Sequence, residues 1–299
     1  MDKLKSQLDV IKITGDDAET FIQGQITNDI KIVSDAKKSI YSGYCSPKGR
    51  LLAIFFITKI KKNFFLFCPP CISKPISQRL TMFVLRSDVE ITCSPKNIDY
   101  YLIDKKNIKK FNSDHMFLPK KNMETTLNPN ESVSITMIDG FEPYYFILGD
   151  KKETLDVISE IFKGMNQDEF YSWNEIQIEN NIPNIFNETQ DIFIPQSLNL
   201  DLINAINFKK GCYTGQEVVA RTHYLGKPKR RLYSGCVELL ELPKLGSDIL
   251  VADEKVGCLV NFYKKKNNVF KILIELRIEK AESHLTLDGK EIVSIEMKK

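Results

Sequence analysis

The residues best suited to chemistry in this chain lie in the run Lys209-Lys210-Gly211-Cys212-Tyr213-Thr214-Gly215-Gln216-Glu217. Two glycines flank a lone cysteine, which suggests a tight loop whose backbone takes positive φ or lets a ligand approach closely. One helix is expected near Leu200 to Ile206, before the loop, and a second beginning near Gln216, after it. The positive end of the second helix, together with Lys209 and Lys210, would favour the thiolate of Cys212, the reactive form of the side chain. Cys212 is then expected to be the most readily alkylated thiol. The alternative reading is a small buried hydrophobe, an ordinary use of cysteine.

Charge and the other candidate ligands narrow the field. The 42 Lys and Arg against 39 Asp and Glu leave a net charge of +3, so the chain as a whole is no polycation built for nucleic-acid phosphates. From Lys209 to Arg231, however, seven basic residues meet a single acid, Glu217, and this stretch is a local candidate for an anion. A partner protein and RNA phosphates are both possible occupants, although aromatic residues are sparse there and no RNA-binding module signature accompanies it. Cys68-Pro69-Pro70-Cys71 has a spacing used by redox and zinc sites, yet no second pair completes a zinc set. It is read as a strand end stopped by two prolines. Cys45, Cys93, Cys236 and Cys258 fall in strand-like runs and are expected in the core. His115, His223 and His284 lack a second ligand at metal spacing. An odd cysteine count, seven in all, argues for a reducing cytoplasm rather than a disulfide framework. No signal-peptide-like or membrane-spanning apolar run is found.

The elements that must position these residues read as α+β. Strands are predicted at Leu8 to Ile13, Ser39 to Cys45, Leu51 to Ile60, Phe64 to Phe67, Val89 to Cys93, Tyr100 to Ile103, Val133 to Ile138 and Tyr144 to Leu148. Helices are predicted after Gly15, where Asp16 and Glu19 form a start signal, and at Ile76 to Arg86, Glu153 to Lys163 and Trp173 to Glu179. Lys105 to Glu131 reads as a polar excursion. From Arg231 onward, alternating strands and turns predict a small β-barrel.

Ile194-Pro195-Gln196, Asn199-Leu200 and the Lys210 to Glu217 motif together resemble the signature of the YgfZ family. Ile13-Thr14-Gly15, Gln23-Gly24-Gln25, Thr27-Asn28-Asp29 and Lys48-Gly49 agree with it in order and spacing, so the resemblance covers nearly the whole chain. It implies the fold of the glycine-cleavage aminomethyltransferase. Residues 1–228 would form a folate-binding region of two subdomains and 229–299 a β-barrel, in a three-part ring around a folate-sized cavity.

The implied cofactor is tetrahydrofolate or a derivative. Glu179 would pair with the pterin N–H groups, Trp173 would offer an aromatic face, and Lys209 and Lys210 would meet the glutamate tail. Without the resemblance, a lone tryptophan is more often core than ligand platform, and a lysine pair has a solvated surface as its alternative. The family's Glu-Ala-Gly is here Glu179-Asn180-Asn181, and Leu8 stands where some relatives carry a tryptophan. The transferase's essential aspartate has no counterpart in Leu51-Leu52-Ala53-Ile54-Phe55, which removes the group its chemistry needs.

The resemblance therefore implies an accessory protein rather than a transferase. It would support the assembly, maintenance or repair of iron–sulfur enzymes and thereby the modification of some tRNAs, with those enzymes or assembly factors as partners. Cys212 has no neighbouring cysteine and would not hold a cluster alone. A folate-dependent one-carbon transferase and a direct tRNA-binding module are the competing readings.

Overall fold

The computed structural model describes residues 2–35, 37–108, 117–140, 142–162 and 172–297. Strands β1 (Asp9–Thr14), β2 (Ile40–Cys45), β3 (Leu51–Ile60), β4 (Asn63–Cys68) and β5 (Glu90–Cys93) form one sheet in the order β2-β3-β4-β1-β5. A second sheet holds β6 (Ile98–Asp104), β7 (Thr125–Leu127), β8 (Val133–Ile138) and β9 (Tyr144–Asp150) in the order β6-β9-β8-β7. The remaining strands are β10 (Arg230–Glu238), β11 (Asp248–Val251), β12 (Glu254–Lys264), β13 (Val269–Arg277), β14 (Thr286–Leu287) and β15 (Lys290–Glu296). They close into a barrel in the order β10-β13-β12-β11-β14-β15. The α+β class and the C-terminal barrel expected from the sequence are both present.

The chain divides into two compact units, one of residues 1–23, 29–41 and 55–176, the other of 24–28, 42–54 and 177–299. In the first, the core is aromatic. Phe56 of β3, Phe67 of β4, Tyr100 of β6 and Phe146 of β9 meet with ring centroids 5.0–6.0 Å apart. Such tilted, edge-on and stacked contacts add to the gain from burial alone. Polar residues of the second sheet are satisfied by a residue just before β2: the buried hydroxyls of Ser39, Thr125 and Thr136 form a triangle with sides of 2.8–2.9 Å. In the second unit, alternate residues of the barrel strands, among them Ile249, Leu259, Ile272 and Ile274, turn inward and are wholly buried.

Most predicted elements stand within a few residues of their expected bounds. The helix predicted at Leu200 to Ile206 does not form. Asn199 and Asn204 take left-handed φ of 60° and 56°, which breaks helical propagation, and the segment is a series of turns after a 3-10 turn at Pro195–Leu198. The helix predicted from Ile76 starts earlier and spans Pro70–Thr81, because a proline fits the first turn, where its missing N–H has no intrahelical acceptor. Inside the expected excursion at 105–131, β7 pairs with β8. His115 and the end of the helix predicted to reach Lys163 lie outside the described residues; that helix is described over Lys151–Phe162. Among the described residues no helix is long and apolar enough to cross a membrane.

The cysteines divide by environment. Cys45, Cys68 and Cys258 are buried, Cys93 and Cys236 intermediate, and Cys71 and Cys212 exposed. Burial pushes the Cys45 thiol up to about 12 and that of Cys258 to about 11, and raises that of Cys68 well above its ordinary value. A thiol held neutral by desolvation is a poor nucleophile, and the Cys68–Cys71 pair has one such member. No group of three potential metal ligands occurs among the described residues. Alkylation of the native protein near pH 8, followed by mass spectrometry, is expected to label Cys71 and Cys212 first. Cys45, Cys68 and Cys258 should react only after denaturation.

Candidate functional site

The loop around Cys212 is shaped by residues far away in sequence. Thr27 exchanges backbone hydrogen bonds with Gly43 of β2 and Asn207, and its hydroxyl donates to the carbonyl of Ala205 at 2.7 Å. Asn28 donates through its side chain to the Asn204 carbonyl at 2.8 Å, while its backbone N–H donates to Ser42 Oγ at 2.9 Å. The Thr27-Asn28 pair thus ties the turns at 204–207 to β2. Three residues on, Lys210 is 8% exposed, and its ammonium donates to the Ile26 carbonyl at 2.6 Å. It also lies 5.1 Å from the centre of the Tyr213 ring, a cation–π contact strengthened by burial. Burial raises the Tyr213 phenol well above its ordinary value, so that side chain is a neutral wall.

Two glycines make the turn possible, and only one of them, Gly215, flanks Cys212; the other is Gly49. Gly215 takes φ +82° immediately before the Gln216–Tyr224 helix, and a Cβ there would stand 2.4 Å from the Ser46 carbonyl and 2.9 Å from Gly49 Cα. Gly49, at φ +68°, returns the contact, with Gly215 O 3.1 Å from where its own Cβ would be. The Lys48-Gly49 turn and the motif therefore meet backbone to backbone, an approach that only residues without a Cβ allow. Gly211 has no left-handed φ, and a Cβ on it would meet nothing within 4 Å. Between these features Cys212 is exposed, three residues before the glycine that opens the helix.

The rest of the motif region is bracing. Gln196 donates to the Val219 carbonyl of the helix at 2.6 Å. Asn199 grips Leu232 of β10 through both ends of its amide, at 2.9 and 3.3 Å. Arg231 forms a two-pronged pair with Asp201 at 2.6 and 2.9 Å and donates to the Gln196 carbonyl at 2.9 Å. Arg230 pairs with the buried Glu275 at 2.6 Å. Of the seven basic residues from Lys209 to Arg231, then, three are engaged inside the fold, and Lys209, Arg221, Lys227 and Lys229 remain exposed. His223 stacks on Phe208 with ring centroids 3.6 Å apart.

The two pterin candidates sit at opposite ends of one helix, Trp173–Glu179. Trp173 is 2% exposed, and its ring lies 5.5 Å from both Phe56 and Phe146, within the aromatic core of the first unit. Glu179 is partly exposed and accepts at Oε1 from the Tyr263 hydroxyl, with Lys265 Nζ 3.5 Å from the same oxygen. Sequence reasoning missed Thr27, Asn28, Gln196, Asn199 and Asp201 as the framework of the site. Their polar side chains on turn residues were the available signal.

The glycine geometry gives a paired test. Gly215→Ala is expected to cost about 1–3 kcal/mol from the left-handed backbone, with the collision against Ser46 adding to it. Gly211→Ala should stay within about 1 kcal/mol of the parent. Urea unfolding of both variants measures the difference.

No family model matches the sequence. The tRNA-modifying protein YgfZ of Colwellia psychrerythraea is 28% identical over 246 residues, covering 82% of this chain and 74% of that protein. The protein of the same name from Aliivibrio fischeri is 32% identical over 229 residues, 75% of this chain and 67% of that one. Among solved structures, the glycine cleavage system aminomethyltransferase T of Bartonella henselae matches with a TM-score of 0.69 at 12% identity, over 96% of this chain and 82% of that chain. At that identity the likeness is one of fold. With its motif, its architecture and these relatives in agreement, the chain belongs to the YgfZ family of tRNA-modifying proteins.

Proposed function

We propose that this chain is a folate-binding accessory protein that supports the assembly, maintenance or repair of iron–sulfur enzymes, and through them the modification of some tRNAs. The observation that carries the reading is the presentation of Cys212. Its loop is held by a buried ammonium, a glycine–glycine contact and the Thr27 hub, yet the thiol itself is exposed. A side chain kept at the surface by so much buried framework is suited to act on something outside the chain. The names of the relatives support the link to tRNA modification, and the aminomethyltransferase-like fold supports folate as the cofactor.

The residues fit tetrahydrofolate in part. Both contacts of Glu179 use Oε1, which leaves Oε2 to accept from a pterin N–H. Lys210 is committed to the Ile26 carbonyl, so the exposed Lys209 is the lysine of the pair suited to a glutamate tail. Trp173, packed on Phe56 and Phe146, offers little open ring face for a pterin to stack on. Folate would supply a one-carbon carrier. The chain's own contribution is to bind and orient it, since Leu51 to Phe55 offers no carboxylate for the transferase chemistry.

Tetrahydrofolate is expected to quench Trp173, the single tryptophan. Glu179→Ala should weaken binding by about tenfold or more, and Lys209→Ala by less, because a charge-assisted hydrogen bond outweighs a screened surface contact. Calorimetry that detects no binding at millimolar ligand would refute the cofactor.

Cys212→Ser should fold normally and bind folate as the parent does. It should fail to restore iron–sulfur enzyme activity in cells lacking the protein. Full rescue by this variant would show that the thiol is dispensable.

A further inference from the structure

A cleft of about 530 Å³ lies within the second unit, where the segment after the motif helix faces the barrel. Five basic side chains line it: Arg50, Lys227, Lys229, Arg230 and Lys255. Against them the lining holds one acid, Glu275. From this geometry we propose that the cleft binds a small polyanion, an apolar or aromatic body carrying two or more phosphate or carboxylate groups.

The charges are unequally engaged. Glu275, 5% exposed, is taken up by Arg230, which also donates from the same Nη1 to the Val256 carbonyl at 3.3 Å. This holds the guanidinium in the wall and leaves its other nitrogens outside these two bonds. Lys255 pairs with Asp248 at 2.5 Å. Arg50 donates only to a neutral group, the Ile192 carbonyl, and neither Lys227 nor Lys229 has a side-chain partner among the described residues. Three cations therefore line the cleft without a counter-ion among the described residues, and like charges gathered around one cleft favour the arrival of an anion.

Shape completes the argument. Ile192, Phe193, Ile194 and Pro228 form an apolar side to the same cleft. Its volume lies in the range of small-molecule sites, which combine an apolar wall with a few placed polar groups. A bare inorganic ion would leave that wall unused. The proposal does not depend on the folate reading, because neither Glu179 nor Lys209 lines this cleft.

The test compares the full-length protein with Lys227→Glu/Lys229→Glu, both at exposed positions, after thermal unfolding has shown that the variant melts as the parent does. Two probes separate the anion chemistries in low-salt calorimetry: ADP for phosphate and trimesate, an aromatic tricarboxylate. At least one should bind the parent with a sub-millimolar Kd and bind the double variant about tenfold more weakly or worse. Lys227→Ala/Lys229→Ala should weaken the same probe by a smaller factor. If neither probe binds the parent, or the charge reversal leaves binding unchanged, the proposal is wrong. If the variant loses only retention of tRNA, the surface serves RNA and the small-ligand proposal is equally overturned.

Discussion

An ammonium group leaves water only where carbonyl oxygens or rings replace its hydration, and the surroundings of Lys210 meet that condition. The Ile26 carbonyl at 2.6 Å and the Tyr213 ring fix the lysine. The lysine in turn fixes the course of the chain two residues before Cys212. Removing one partner of such a contact leaves the other buried and unsatisfied, so the arrangement is intolerant of drift in either segment. The turn at Gly215 and Gly49 adds a second constraint of another kind, steric rather than electrostatic. Between the two, the loop has few conformations left, while its thiol stays in solvent.

The same economy explains the basic stretch. Seen as a string of letters, Lys209 to Arg231 looks like a patch awaiting a phosphate backbone. In the fold, Lys210, Arg230 and Arg231 point inward to a carbonyl and two carboxylates, where Lys210 joins the motif to Ile26, Arg231 joins the barrel to Asp201 and Arg230 ties two barrel strands together. Arginine suits the barrel contacts because its planar fork matches Asp201 with two parallel hydrogen bonds. What remains exposed is spread over four residues rather than seven.

The sequence made legible what depends on neighbours. Apolar runs such as Leu51 to Ile60 and Val133 to Ile138 are strands with the expected bounds. Short strands escaped: β14 has two residues and β7 three, and Thr-Thr-Leu in β7 carries too little pattern to register. The turns at 200–206 looked helical because Leu200, Ile203 and Ile206 keep a helix-like spacing, and only the left-handed backbone at Asn199 and Asn204 decides otherwise. At the site, the loop suggested an accessible Cys212 but left a buried one open, and the structure places it in solvent. The burial of Lys210 was not legible, since its acceptor is 184 residues away. Nor was the idle role of Gly211, because composition does not distinguish a glycine that is needed from one that is merely allowed.

That separation of 184 residues has a consequence for how the protein is made. The second unit draws on residues 24–28 and 42–54 as well as 177–299, so its early pieces leave the ribosome long before the segments they hydrogen-bond to exist. Closing loops of this length is entropically slow, and folding rates fall as such distant pairings come to dominate. The Thr27 hub and the Lys210 contact can therefore close only after residues 205–210 have been synthesised. Until then Ile26, Thr27 and Asn28 lack the partners that hold them in the finished fold.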